Sequence, residues 1–288
     1  MPVVGSYTGS LSNAGEAIEL QDAAGAVIQS FRYRDEWYEI TDGDGFSLTA
    51  RDSAGADAVA WAQKSAWRPS AAVGGSPGFD DGDEVPDPGA VVINELLASS
   101  IEEEFSCQFS DNTSDQAIDV SGWFLSDKGD ALTKYEIAQG TVIGPYGYLV
   151  LSDDQHFGNE DDPGCHEPFG LSRDGETVYL HSGSDGLLTG YSEQVTFGPS
   201  DSGGAFGRYA TSAGIVDFVL MTAPTPGQVN AAPRVGPIVI SEIMYHPEES
   251  DDAEYVELLN ISGADVTLYD FTREAPWCFT DDPENPSI

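Results

Sequence analysis

The 288-residue sequence predicts an all-β fold of antiparallel sandwich or barrel type, on three observations. Apolar and polar residues alternate in short runs, which is the period of a strand with one wet face: in GEAIELQD, Ile18 and Leu20 alternate with Glu19 and Gln21, and in EYVELLN, Val256 and Leu258 flank Glu257. Gly at 32 positions and Pro at 17 punctuate these runs at the short intervals of an antiparallel all-β chain. The chain also repeats itself at whole-domain spacing. Glu95 recurs as Glu242 and Pro77 as Pro226, a period near 150 that suits tandem domains and is too long for a solenoid.

In chain order, residues 1–79 read as the carboxyl-terminal part of a first domain. GEAIELQDAAGAVI at 15–28 matches GETVYLHSGSDGLL at 175–188, and GGSPGFDDG at 74–82 matches the Thr-Pro-Gly close at 225–227. SAGADAVAWAQKSAW at 53–67 is the one helix-compatible stretch, and it reads better as a loop with a strand. DDGDEVPDPG at 80–89 is acidic and Pro-rich, as a linker is. Residues 90–233 carry the complete series: VVINELL (91–97), DVSGWFLSD (119–127), GTVIGPYGYLVLS (140–152), the 175–188 run and APTPGQVN (223–230). Residues 236–288 then restart it, with IVISEIMYHP at 238–247 and EYVELLNISGADVTLYDFT at 254–272. Two explanations of the partial ends stand open: a segment of a longer protein, or halves that complement one another by strand addition.

As a set, the INE and SEIMYHP openings, the EYVELLN strand, the DVSGWFLSD strand and turn and the GTVIGPYGYLVL run resemble the bacterial lamin-tail domain. That family is a relative of the immunoglobulin-like tail of nuclear lamins. The resemblance extends over nearly the whole chain. It implies tandem immunoglobulin-like β-sandwiches in exported, often multidomain, bacterial proteins, where such units bind or space neighbouring modules, and it implies no catalytic residues. The central copy departs from the pattern: between Leu97 and Ile118 it has ASSIEEEFSCQFSDNTSDQA where the family has an EYVELLN-like strand, so that strand is not legible there.

Fifty acidic residues against eleven basic give a net charge of −39. Such a surface repels phosphate backbones and anionic membranes, which argues against a nucleic-acid partner. No run reaches the ~18 apolar residues of a membrane helix, so no membrane insertion by helices is expected. MPVVGSYTGS lacks the pattern of a signal peptide. Taken with the resemblance, the expected location is extracellular or at the cell surface, with any export signal outside this chain. Cys107, Cys165 and Cys278 form no CxxC pair, which removes the usual zinc frameworks; Cys107 and Cys165 fall in one unit and could pair in an oxidising compartment.

Several short stretches mimic active sites. SDSGGA at 200–205 looks like the nucleophile loop of trypsin-like proteases, but that chemistry needs a converging His and Asp. The candidates His156, His166 and His181 sit in loops or at a strand end, so a Gly-rich turn is the better reading. CHEPFG at 165–170 fails the HExxH spacing, because position 170 is Gly and Pro168 breaks the helix the motif requires. No GxSxG, P-loop or GxGxxG occurs. Calcium is the plausible metal, since it takes oxygen ligands from acidic loops; Asp80, Asp81, Asp83 and Asp87 at the domain junction are the candidate ligands. Trp37, Tyr38, Trp61, Trp67, Trp123 and Trp277 form either a sugar-stacking platform or core, and strand spacing favours core.

The sequence thus predicts a non-enzymatic structural, adhesion or spacer segment with no required cofactor. Its expected partners are neighbouring modules or extracellular proteins. A carbohydrate- or calcium-binding accessory module and a hydrolase are the alternatives.

Overall fold

The computed structural model describes residues 8–52, 59–81, 85–98, 107–200, 203–248, 253–270 and 274–278. The described residues are mostly β-strands in several sheets, with only short 3-10 and π turns between them. The chain divides into two compact units, Met1–Pro233 and Arg234–Ile288.

The first unit opens with a hairpin of β1 (Ala17–Gln21) and β2 (Val27–Arg32). Its turn is set by Asp22, whose carboxylate accepts from the Ala24 and Ala26 amides at 2.8 and 2.9 Å. A second pair, β3 (Leu48–Ala50) and β4 (Trp67–Pro69), follows. Of the helix-compatible stretch, residues 53–58 lie outside the described residues; beyond them come 3-10 turns at Ala60–Ala62 and Lys64–Ala66, then β4. Trp37, Tyr38 and Trp67 form a core here, with Phe31, Tyr33, Leu48 and Trp61 packed on it.

The remainder of the unit is a two-sheet body. Its strands are β5 (Val91–Leu97), β6 (Cys107–Asn112), β7 (Ile118–Asp119), β8 (Phe124–Ser126), β9 (Tyr135–Glu136), β10 (Val142–Ile143), β11 (Tyr148–Ser152), β12 (Glu176–Ser184), β13 (Leu187–Phe197), β14 (Ala205–Ala210) and β15 (Val216–Leu220). One sheet has the order β11-β6-β5-β14-β15 and the other β13-β12-β8-β9, and β7 pairs with β10. Val91, Ile93 and Leu96 from the first sheet share one buried cluster with Leu125, Val178, Leu180, Tyr191 and Phe197 from the second and with Trp123 just before β8. Every residue of β5 is buried, as suits a central strand covered on both faces. β6 stands where the sequence showed no legible strand, and it corrects that reading: it pairs with β5 on one side and β11 on the other. The pairing of a central strand overrides the weak strand pattern of CQFSDN.

The first eighty residues pack against this body. Ile40, Phe46 and Leu132 form a buried cluster joined by Tyr179 and Leu188. Gly190 on β13 lies so close to the Ser70 carbonyl and Ala71 that any Cβ would overlap them.

The second unit contains a hairpin of β16 (Ile238–Met244) and β17 (Tyr255–Asn260), and a short pair, β18 (Tyr269–Asp270) and β19 (Ala275–Pro276).

The repeat seen in the sequence has a structural counterpart in hydrogen bonds. In both β5–β6 and β16–β17 a bulge falls just before the motif Glu, at Asn94 and at Ser241, with Glu95 opposite Phe109 and Glu242 opposite Glu257. The turns that follow also coincide. Asn112 Nδ2 donates to Gln116 O at 2.6 Å and Ser114 Oγ donates to Asn112 Oδ1 at 2.8 Å; Asn260 Nδ2 donates to Ala264 O at 2.8 Å and Ser262 Oγ to Asn260 Oδ1 at 2.7 Å. The other half of the series repeats too. Ser12 N donates to Glu16 Oε1 at 2.9 Å and Ser172 N to Glu176 Oε1 at 2.5 Å, each around a positive-φ glycine, Gly15 and Gly175.

Candidate functional site

The repeated motif places its Glu at a specific junction. The bulge at Asn94 lets β5 turn Glu95 fully inward, where Thr225 of the Thr-Pro-Gly close donates to it from both its amide and its hydroxyl at 2.7 Å. Beside it, Asn94 Nδ2 donates to Asn230 Oδ1 at 2.7 Å. Burial raises the Glu95 pKa, and the two Thr225 bonds oppose that rise. This site ties the last described loop of the body to its first strand. The sequence flagged both the Glu and the Pro-Gly close by their period, but no pattern joined them.

A second polar cluster lies where the amino-terminal segment meets β13 and β14. The Lys64 ammonium sits 4.6 Å from the centre of the Tyr38 ring, and Arg208 Nη1 lies 3.3 Å from Glu193 Oε1. Burial lowers the Lys64 pKa and raises that of Glu193, even though the two attract. Tyr38, whose hydroxyl donates to Trp67 O at 2.9 Å, is pushed up to about 12, chiefly by burial. Sequence spacing gave no sign of this network, because its members come from elements far apart in the chain.

The candidate calcium ligands are distributed as follows. Asp81 is 7% exposed and its carboxylate is saturated: it pairs with the buried Arg68 guanidinium and accepts from Ala71 N at 2.8 Å and Ser76 Oγ at 2.7 Å. Burial would raise its pKa, yet these donors and the Arg68 charge hold it below the usual carboxylate range. Asp80 and Asp87 are exposed, Asp87 lying 3.3 Å from Arg51, and Asp83 lies outside the described residues. Among the described residues, no three His, Cys, Asp or Glu side chains converge as a metal site.

CHEPFG clamps a buried lysine. Lys134 Nζ reaches Asp127 at 2.8 Å and Glu167 at 3.2 Å and lies 5.1 Å from the Phe169 ring centre. His166 Nδ1 is 3.0 Å from Thr133 O, while the His156 ring accepts from Ser152 N at 3.1 Å. His181 is fully buried on β12, where its ring nitrogens make no well-formed hydrogen bond among the described residues but lie close enough to the Tyr191 backbone to be favoured a little in the charged form. Its burial depresses its pKa to about 3. In SDSGGA, residues 201 and 202 lie outside the described residues, and Ser200 is buried with its amide on Arg173 O. Cys165 is a free, half-buried thiol whose pKa is raised by burial and by the nearby acids Asp162 and Glu160; Cys278 is free and exposed, and the Cys107 side chain lies outside the described residues.

Of the aromatic candidates, Trp37, Tyr38, Trp67 and Trp123 are buried, Trp61 is half-buried and Trp277 is half-exposed. Trp37 stacks on Trp67 at 6.4 Å, and Trp123 meets Tyr191 at 4.8 Å. The cavity of 490 Å³ beside β1–β4 is largely apolar, with Phe31, Phe46 and Trp67 in its wall.

No family model, no curated protein and no solved structure matches this chain.

Proposed function

We propose that this chain is a non-catalytic structural or adhesion segment, a spacer of tandem immunoglobulin-like lamin-tail-type units in an exported protein. The observation that carries the reading is the reuse of one frame in two separate compact units: the same bulge before the motif Glu, the same cross-strand register and the same Asn-Ser turn. A spacer gains from repeating a scaffold, whereas an active site needs one asymmetric convergence of groups. The polar groups at Glu95 and Asp81 are engaged with partners inside the fold, in keeping with a structural role. Two sheets enclosing one core, with β5 central, is the architecture that an immunoglobulin-like sandwich requires.

The test is stretching of the single chain between handles, run beside glycan-array binding and a panel of chromogenic ester, peptide and glycoside substrates. The spacer reading expects a resolved unfolding event for the 90–233 body and no turnover or glycan retention. Saturable turnover that tracks the purified protein, or selective glycan binding, overturns it.

A further inference from the structure

We propose that His181 makes a proton-operated latch of the contact between the first segment, around Ile40, Phe46 and Ser70, and the outer face of the β13-β12-β8-β9 sheet, closed near neutral pH and released as the medium acidifies. The proposal rests on the spacer reading and adds to it a control over how firmly the first segment is held to the body.

Register fixes the face that His181 occupies. Tyr179 stands opposite Gln194 and His181 opposite Ser192, so these residues share one face of the β12–β13 pair with Leu188 and Gly190. Their alternates Val178, Leu180, Tyr191 and Phe197 belong to the body core on the other face. The face with His181 is the one that the first segment covers: Tyr179 and Leu188 pack on Ile40 and Phe46, and Gly190 is pressed against Ser70 and Ala71. His181 lies between these contacts and is 0% exposed, although it stands on the outside of the sheet. Its ring stacks with that of Tyr179 at 6.3 Å, and Phe124 of β8 stands opposite it in register. Lifting the segment therefore returns the imidazole to water and leaves the core around β5 intact.

The charged groups around this interface stand beside the ring and not on it. On the first segment they are Glu39 near Tyr179, the exposed Asp44, and the paired Arg68 and Asp81 behind Ser70 and Ala71. Asp130 is also near Tyr179, His166 and Glu136 lie beyond Phe124, and Lys64 and Glu193 meet at the β13 edge. What acts on the His181 ring is burial and, to a lesser degree, the Tyr191 backbone. The ring titrates at 6.5 in water and at about 3 when enclosed, so below pH 6.5 the released form takes the extra proton. By pH 5 the ratio of docked to released segment falls about 30-fold on this account. Glu39 and Glu193, whose pKa values burial raises, act with the opposite sign, and a variant that lacks only the imidazole separates their effect. The first copy carries such a residue already, Gln21 at the cognate position.

The test is amide hydrogen exchange of the full chain at pH 7 and pH 5, with wild type beside His181→Gln and His181→Phe at each pH so that intrinsic exchange cancels. Between the two pH values, amides of residues 38–50 and 67–72 should lose more protection in the wild type than in either variant, by up to that factor, while β5 stays protected. Gly190→Ala gives a second measurement that keeps the imidazole. Its Cβ would overlap the Ser70 carbonyl, so it should open the latch at neutral pH and return the ring titration of His181, followed by NMR, to near 6.5. Equal loss of segment protection in wild type and variants overturns the proposal. So does loss at β5 in step with the segment, or an imidazole that still titrates far below 6.5 in Gly190→Ala. None of those results touches the spacer reading, which fails only on turnover or glycan binding.

Discussion

The hairpins β5–β6 and β16–β17 share a register, a bulge and the hydrogen bonds of the turn that follows, yet one is the centre of a core and the other is open. Val91, Ile93 and Leu96 are fully buried, whereas Ile240 and Ile243 are more than half exposed. The motif Glu differs in the same way: Glu95 is enclosed and held by Thr225, while the exposed Glu242 accepts from the Tyr255 hydroxyl at 2.6 Å. The difference separates two kinds of information. Short-range sequence specifies the turn, because its hydrogen bonds close within a few residues, and the bulge sits within a single hairpin of strands adjacent in sequence. Burial is conferred by partners: β5 pairs with β14 and faces β12 and β13, and the β14 residue opposite Glu95 is Gly207, 112 residues downstream.

The sharpest way to break the comparison is to truncate cognate residues. Ile93→Ala removes a fully buried side chain and should destabilise the body by ~2–5 kcal/mol, the range for such core deletions. Ile240→Ala, its counterpart on the exposed hairpin, should change stability by no more than ~0.5 kcal/mol at dilution. Denaturant unfolding followed by Trp fluorescence reads both. Equal losses at the two sites would mean that β16 is covered in solution even in the isolated molecule.

The same split explains what was legible in the sequence. The all-β class, the hairpins and the repeat are local patterns, and the structure has strands at each of the quoted runs from 91–97 to 175–188. β6 was not legible, because CQFSDN offers one apolar ring among polar neighbours and becomes a strand through two neighbours it cannot announce. Asp81 belonged to an apparent linker of acidic residues, yet it is anchored by Arg68, thirteen residues upstream, and by the turn at Ser76. The docking of the first eighty residues depends on Leu132 and on the missing side chain of Gly190, two contacts with no local signature.

A second test concerns the motif Glu. Thr225→Val deletes one of the two donors to a buried carboxylate, and a bond of that kind is worth ~1.5–3 kcal/mol. Its cognate in the first segment, Ser76, donates instead to Asp81, so Ser76→Ala should loosen the Arg68 pair and leave the Glu95 site unaffected. Amide exchange at Thr225, fast in the first variant and unchanged in the second, distinguishes the two outcomes.

The turn asparagines give a smaller contrast. Asn112 Nδ2 also serves Ile143 O at 3.1 Å and Gly144 O at 3.0 Å, tying the turn to the loop after β10, whereas the exposed Asn260 bonds only within its own turn among the contacts described. Asn112→Ala should therefore cost ~1–3 kcal/mol through orphaned buried carbonyls, and Asn260→Ala about 0.5 kcal/mol. Comparable losses by chemical denaturation would contradict the reading that only the first turn is built into a core.

The gentlest effect comes from His181 and its cognate Gln21, an exposed residue on β1. His181 is buried, and its pKa falls from 6.5 to about 3 because burial penalises the charged ring more than the Tyr191 backbone favours it. For a base with a depressed folded pKa, the unfolded chain binds the extra proton first. The stability associated with the neutral ring is complete above pH 6.5 and is lost as the pH falls toward 3. The slope it contributes is at most ~1.4 kcal/mol per pH unit. His181→Phe keeps a planar ring in the core and removes the proton, so its melting temperature should fall less between pH 6.5 and pH 5 than that of the wild type. Acidic groups common to both proteins cancel in that difference, and Gln21→Phe at the exposed cognate should leave the wild-type slope intact. Parallel curves for wild type and His181→Phe would mean that the imidazole reaches water or a proton acceptor in the folded state, and that the body is less closed at β12 than its packing indicates.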